Sequence, residues 1–324
     1  MRLTARLAAA ALAAGVGAAH AQEAYPSRTI TLVVPFSAGG ATDTVARITA
    51  ENMSKALGSQ IVVENVTGAG GTLASARVAK SDPDGYTLLI HHIGISTAPA
   101  LYRKLSFDTK TAFAPIGLVS DAPMTIIARP DFPADTLEQL VAKVKANGTK
   151  ITYGNAGLGA ASHLCGTLLF STIGTQVTPV PYKGNGPVMT DLIGKQIDMT
   201  CDQTTNTTGP IQGKQVKAYA VTALKRVEQL PELPTADEAG IKGFQMSAWH
   251  GIYAPAGTPD AVVKRLSEAL QTALAEPALQ ERFGKIITTA ASKQDATPEA
   301  LKAKLLSEID RWDPVIKAAG QFAD

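Results

Sequence analysis

Residues 29–40 read Thr29-Ile30-Thr31-Leu32-Val33-Val34-Pro35-Phe36-Ser37-Ala38-Gly39-Gly40. A β-branched run ends at proline, and two glycines follow. Helical spacing then continues through Val45, Ile48, Met53 and Leu57, with Gly58 placed as a C-cap. Strand, glycine loop and helix in that order form one α/β unit, and the pattern repeats. Ile61–Val63 is the next strand, followed by Thr67-Gly68-Ala69-Gly70-Gly71 and a short helix to Lys80. Asp82-Pro83-Asp84-Gly85 turns into the strand Tyr86–Ile90. Strands alternating with helices predict parallel sheets covered on both faces.

A second series starts at Ile151. Its strands are Ile151–Tyr153, Val177–Tyr182 and Ile197–Cys201, with helices near 160–173 and 187–195. Met124–Ala128 precedes it and Val216–Thr222 follows, so the chain is expected to cross between two units near 124–130 and 216–223. The expected fold is α/β and two-lobed: two doubly wound sheets joined by a two-strand hinge, with a ligand cleft between them. The first lobe takes residues 22–124 and 223–324, and the second takes 125–222. Ser247–Ala254 is a further strand, on which Trp249 reads as core. Thr258-Pro259 and Thr297-Pro298 each read as an N-cap followed by Pro at N1.

Residues 1–21 carry Arg2 and Arg6, an apolar run from Leu7 to Ala19, and the small-x-small triplet Ala19-His20-Ala21. This is the pattern of a secretory signal cleaved after Ala21, which predicts a soluble, exported protein. Of the formal +2, both charges belong to that segment, and 28 positive and 28 negative residues remain. A neutral chain without a basic cluster argues against nucleic acid. Export permits a disulfide, but Cys165 and Cys201 are too few for a framework, and two buried small hydrophobes is the preferred reading. No histidine pair has helical ligand spacing, so no structural zinc is expected.

The informative feature is where acids are missing. None occurs from Ala24 to Thr42, Asn65 to Ser81, Gly85 to Phe107, or Gln139 to Thr190. Each interval holds a strand and the loop after it, where open α/β sheets bind ligands. Helix N-termini there present free N–H groups, and glycine admits close approach; together they suit an anion such as a carboxylate. Gly154-Asn155-Ala156-Gly157-Leu158-Gly159 imitates a dinucleotide fingerprint, but the next acid is Asp191, too far for a ribose contact. No phosphate loop or nucleophile elbow is present, and no cofactor is expected. His91 and His92 end a strand, so at most one is expected to reach the cleft. Asp43 and Asp202 lie beside loops, Asp43 reading as an N-cap or first-turn residue.

In this order the loops resemble the periplasmic receptors of the tripartite tricarboxylate transporter family (TctC-like, or Bug, proteins). The resemblance runs through Val34–Gly40 with Asp43, Asn65–Gly71, Asp82–Leu88, Leu101-Tyr102, Phe113–Ile116, Tyr153–Leu164 and Val180–Gly184. It continues with Leu230–Thr235, Glu238-Ala239-Gly240, Trp249 and Ala254–Pro259. It implies a monomeric receptor that closes on a small organic carboxylate, a dicarboxylate or a terephthalate-like aromatic acid, and delivers it to membrane permease subunits. Backbone N–H groups of Phe36, Ser37, Ala38, Gly39 and Gly40 and of the segment Asn155–His163 would hold one carboxylate, helped by ordered water. That second segment includes Gly157, Gly159, Ala160, Ser162 and His163. The sequence departs from the family at Ser37-Ala38, often two prolines, and at Ala160, often a hydroxyl residue; Ser162 or Asn155 could supply the donor instead. The distal end of the ligand would meet His91–Thr97, Lys183–Asn185 and Asp202–Thr205. A bulky residue at Gly39 or Gly157 is expected to block backbone approach. The competing reading is a secreted hydrolase or lyase using His91 or His92 with Asp43 or Asp202, and a third is a sensor with the same fold.

Overall fold

The computed structural model describes residues 25–320 and 322, so the segment read as a signal lies outside the described residues. Strand β1 (Ile30–Val34) leads into helix α1 (Ala41–Leu57), which ends on Gly58 at φ 70°. Along β1, Ile30, Leu32 and Val34 turn to one face and pack with Val45, Ala46, Ile48 and Met53 of α1. Val33 turns to the other face and joins a separate cluster. This is the two-residue alternation of a strand buried on both sides.

The main run of the first sheet has the order β2 (Ile61–Asn65), β1, β3 (Thr87–His92), β9 (Ser247–Pro255) and β4 (Phe113–Ala128). β1 is parallel to β2 and β3, whereas β9 runs antiparallel to both β3 and β4. The sheet is therefore mixed, where strand–helix alternation alone predicted a parallel one. The antiparallel strands come from long returns that alternation cannot order.

β4 is the longest strand and belongs to both sheets. Phe113–Pro123 pairs with β9, and Met124–Ala128 pairs with β7 (Met199–Gln203) and β8 (Lys217–Val221). The second sheet continues through β5 (Thr152–Asn155) to β6 (Thr178–Pro181). The return passage is tied to the outward one by Thr222, whose hydroxyl accepts the Met124 N–H at 2.8 Å and donates to the Met246 carbonyl at 2.5 Å. Two lobes thus share one strand and one threonine clamp. Two lines of chain at the junction can bend without breaking either core, which suits a hinge.

Helix α5 (Ala161–Ile173), α6 (Asn185–Ile193) and α7 (Thr204–Gln212) cover the second sheet. Helices α2 (Thr72–Ala79), α3 (Gly94–Leu101), α4 (Leu137–Asn147), α8 (Asp260–Ala275), α9 (Pro277–Lys285) and α10 (Pro298–Ala319) complete the layers, with the two-residue strand β10 (Thr289–Ala290) against β4. Thr297 caps α10 through the Ala300 N–H, with Pro298 at the first helical position, as the sequence predicts. Thr258 does not cap α8; its hydroxyl donates to the Pro255 carbonyl and Pro259 takes the N-cap position. Trp249 is buried, in agreement with a core role.

Cys165 and Cys201 are joined as a disulfide, which corrects the reading of two buried thiols. Both are fully buried, so burial favours either state. What decides is proximity between α5 and β7, and no sequence motif encodes that contact. Among the described residues, no helix is long and apolar enough to cross a membrane.

Candidate functional site

Four helices begin where the two sheets face each other, and none has a side-chain cap. α1 starts at Gly40, α5 at Ala160, α6 at Gly184 and α7 at Gln203. Elsewhere α4 and α10 are capped by Thr136 and Thr297, while α2, α3, α8 and α9 also lack a side-chain cap, so what sets these four apart is their convergence. An uncapped first turn leaves N–H groups unpaired and a partial positive charge at its tip. The helices meet because their glycines allow it. A Cβ on Gly40 would sit 3.3 Å from the Gly186 N, and one on Gly94 would sit 2.6 Å from the Gly159 carbonyl oxygen.

Phe36, Gly40, Ala41, Thr42 and His92 from the first lobe surround a small cavity with Ala156, Ala161, Ser162, Asn185 and Gln203 from the second. The enclosed space is about 10 Å³, the room one water molecule needs. The lobes are closed on each other: Ser37 N–H donates to the Lys183 carbonyl at 2.9 Å and the Tyr102 hydroxyl to the Leu158 carbonyl at 3.0 Å. Phe36 lies against Ala156 and Ala160 and stacks beside His92 at 4.5 Å between ring centres. No Lys or Arg lines the cavity, so its positive potential comes from backbone dipoles.

Of the residues singled out in sequence, Phe36, Gly40, His92, Ser162 and Asn185 meet at this cavity. The others stand behind it or beside it. Asp43 is a first-turn residue of α1 that accepts the Gly39 N–H at 2.9 Å, two Arg47 bonds at 2.9 Å, and Asn65 Nδ2 at 2.9 Å. Burial pushes its carboxyl up, but the bonds from Arg47, Gly39 and Asn65 outweigh this and hold it below the usual carboxylate range. Gly39 itself is exposed, has φ 78°, and would meet nothing with an added Cβ. Its requirement is therefore conformational, where a steric one was expected. Gly157 has φ 104° and faces Gly70 across the lobes, a Cβ there lying 3.3 Å from the Gly70 N. Ala38 is exposed on the same loop.

In the second lobe, Asn155 Oδ1 accepts the Gly157 N–H at 2.9 Å, and His163 Nδ1 accepts the Gly159 N–H at 3.4 Å; each shapes the loop from below. Ala160 has no side-chain polar atom, and the Ser162 hydroxyl, two residues on, bonds within the second lobe. Ser162 Oγ accepts the Ala156 N–H at 2.9 Å and donates to Asn185 Oδ1 at 3.1 Å. Asn185 Nδ2 in turn donates to Asp202, whose other oxygen accepts Asn206 Nδ2 at 2.6 Å. Asp202 is fully buried and does not line the cavity; burial pushes its carboxyl up to about 6 despite those bonds.

The two adjacent histidines part company. His91 Nδ1–H donates to the His92 carbonyl at 2.9 Å, and its ring turns toward Gly71. His92 turns to the cavity. His250, from β9, completes a buried trio with Thr42 Oγ1 at 3.3 Å and Ser120 Oγ at 3.1 Å. Burial pushes His91 down to about 4 and His250 to about 3, and holds His92 well below its usual value with help from both neighbours, so all three are neutral. The described residues contain no group of three His, Cys, Asp or Glu side chains placed to hold a metal.

Sequence reading missed Thr42, His250 and the role of Gln203, whereas Ala161 falls within the segment Asn155–His163 expected to present backbone N–H groups. Thr42 and Ala161 lie in first helical turns, where the N–H matters and the side chain carries no signal. Gln203 falls within the segment expected at the ligand's distal end, and its Oε1 is buried without a partner.

Comparison with known proteins gives a consistent result. Residues 45–321 match the family model described as tripartite tricarboxylate transporter family receptor. The chain is similar to the periplasmic binding protein BugD at 52% identity and TM-score 0.90, covering 93% of this chain and 100% of that one. It is similar to MatC from Rhodopseudomonas palustris, solved with bound malate, at 38% identity and TM-score 0.87 over 90% and 100% of the two chains. An R. palustris protein solved with adipate shows 31% identity and TM-score 0.86, with 91% and 98% covered.

Proposed function

Because the chain belongs to the tripartite tricarboxylate transporter receptor family, we propose that it captures a small organic carboxylate in the periplasm and delivers it to membrane permease subunits. On this reading residues 22–124 with 223–324 form one lobe, residues 125–222 form the other, and the signal is removed after Ala21. The observation that carries the reading is four uncapped helix N-termini around one cavity with no cation of its own. Such a site favours a carboxylate through N–H dipoles whose orientation the helices fix before any ligand arrives. Malate and adipate in two relatives make a dicarboxylate the leading class here.

The loops would act by position. Asp43 and Asn65 hold the first loop, while Asp202, Asn185 and Ser162 hold the second. Closure is driven by contacts the ligand makes to both lobes at once, since only differential contact shifts an equilibrium between open and closed forms. A hydrolase or lyase reading is less well supported. Asp43 is spent on Arg47 and Asp202 on two asparagines, and neither lines the cavity with His92. A thermal-shift screen over mono-, di- and aromatic carboxylates tests the proposal. Stabilisation by a carboxylate that stays chemically unchanged supports it; conversion of the ligand to product refutes it.

A further inference from the structure

The cavity contains a conflict between two donors. Gly94 N–H donates to His92 Nδ1 at 2.9 Å, and the Ala161 N–H points at His92 Nε2 from 3.4 Å. A neutral imidazole has one accepting nitrogen, so it cannot serve both amides. The shorter contact assigns the acceptor to Nδ1 and the proton to Nε2. Nε2–H and the first amide of α5 then face each other across the lobes, donor against donor. The opposite tautomer moves the conflict to Gly94 without removing it, and a protonated ring offers no acceptor at all.

The surroundings give His92 no other way out. Phe36 covers its face, and the neighbours on the adjoining strands are His91 and His250. His91 already gives its Nδ1–H to the His92 carbonyl, and His250 is engaged with Thr42 and Ser120. His92 is 2% exposed and α5 has no side-chain cap. A second buried side chain on the same cavity is also unmatched, Gln203 through its Oε1.

We infer that His92 and the α5 amide form a contact that needs an acceptor from outside the protein, so that the lobes close stably only when a ligand oxygen takes hydrogen bonds from both. This rests on the carboxylate-receptor reading and extends it to a named side chain that senses the ligand from the opposite lobe. An oxygen about 2.9 Å from each nitrogen completes the triangle, within ordinary hydrogen-bond range. A carboxylate oxygen suits the point because it accepts both hydrogen bonds as an anion at the N-terminus of α5, whereas a water accepts them without the charge. His92 thereby becomes a ligand-binding residue, and its neutrality is part of its work.

Small-angle scattering on the full exported chain, with and without L-malate, succinate and adipate, tests this. The ligand-free wild type is expected to have the larger radius of gyration and to contract with whichever carboxylate binds. His92→Gln carries an oxygen that can accept the α5 amide, so it is expected to be contracted without ligand. His92→Leu offers neither donor nor acceptor; it is expected to stay open and to bind roughly tenfold to a hundredfold more weakly, the worth of one hydrogen bond to a charged acceptor. Nitrogen-15 spectra of labelled histidine in the wild type need no variant, and should show His92 protonated on Nε2 and shifted by ligand. A ligand-free wild type already as compact as the ligand-bound form, His92→Gln as open as the wild type, or His92→Leu with undiminished affinity overturns the inference. If none of the three carboxylates binds the wild type, the receptor reading loses its support, while the ligand-free comparison of wild type and His92→Gln still decides this one.

Discussion

The loop after β1 and the loop after β5 face each other, end a strand in the same way and open uncapped helices, yet they are anchored by opposite physics. The first is held by Asp43, ion-paired to an Arg47 whose side chain is 51% exposed. The second is held by the fully buried Asp202 through Asn185 and Ser162, and by the disulfide between α5 and β7. One anchor is a charge made comfortable by partners at the surface. The other is a carboxyl made uncomfortable by burial and kept in place by a covalent cross-link. Identical backbone chemistry at a cleft therefore does not imply identical responses to salt, acid or reductant.

The largest effect is expected where the two loops meet. A Cβ on Gly70 would lie 1.8 Å from the Leu158 carbonyl oxygen, backbone that cannot step aside. Gly70→Ala should fold, since the backbone clash exists only in the closed form and the Tyr102 hydroxyl, 2.7 Å away, can turn aside, and lose carboxylate binding by roughly a thousandfold, about 4 kcal/mol. Calorimetric titration checks this; near-normal affinity would mean that the closed arrangement is not the binding form.

The next effect separates the two anchors covalently. Cys165 and Cys201 close a loop of 36 residues. Replacing both with Ala should lower stability by about 3 kcal/mol in denaturant unfolding, with the loss centred on the second lobe. Unchanged stability would show that packing alone holds α5 to β7.

Acid should then split the anchors in opposite directions. Asp202 is raised in the fold from 3.8 to about 6, so the native protein keeps a proton that the unfolded chain releases first. Its contribution is favourable below the unfolded value and is lost as pH rises through the folded one. Asp43 is lowered, so its contribution is present above the unfolded value and is lost as pH falls. The stability difference between wild type and Asp202→Asn should therefore change by roughly 2–3 kcal/mol between pH 4 and 7, in favour of the wild type at low pH. Parallel pH profiles would contradict a buried, raised carboxyl.

The smallest effect belongs to the surface pair. Arg47→Ala should weaken binding only about threefold, and less in high salt, because the Arg47 side chain is half exposed and the buried Asp43 keeps its bonds from Gly39 and Asn65. A loss comparable to that from Gly70→Ala would mean that the first loop depends on its ion pair for its shape.

This contrast also explains what could be read in the chain beforehand. Strand, glycine loop and helix leave a local signature, so β1, α1, Gly58 and the loop at Gly154–Gly159 were legible. The missing acids were legible too, in the intervals that supply the cavity residues Phe36 to Thr42, His92 and Ala156 to Asn185, but not at Gln203, which follows Asp202. Contacts that depend on distant segments leave no such trace. The disulfide, the passage of β4 through both sheets and the antiparallel setting of β9 are tertiary facts. His92 and His91 are equivalent on paper; only strand alternation and the position of Ala161 separate them. Likewise Thr42 and Ala161 bring first-turn amides to the cavity, backbone atoms that every residue possesses.

The central claim is that this cleft binds a carboxylate and leaves it unchanged. Isothermal titration of the chain from Gln22 onward with L-malate, succinate and adipate, followed by recovery and analysis of the ligand, tests it most directly. The account predicts saturable one-to-one binding of at least one of them, with the recovered acid chemically intact. No binding of any carboxylate at millimolar concentration, or recovery of a product in place of the acid, would contradict it.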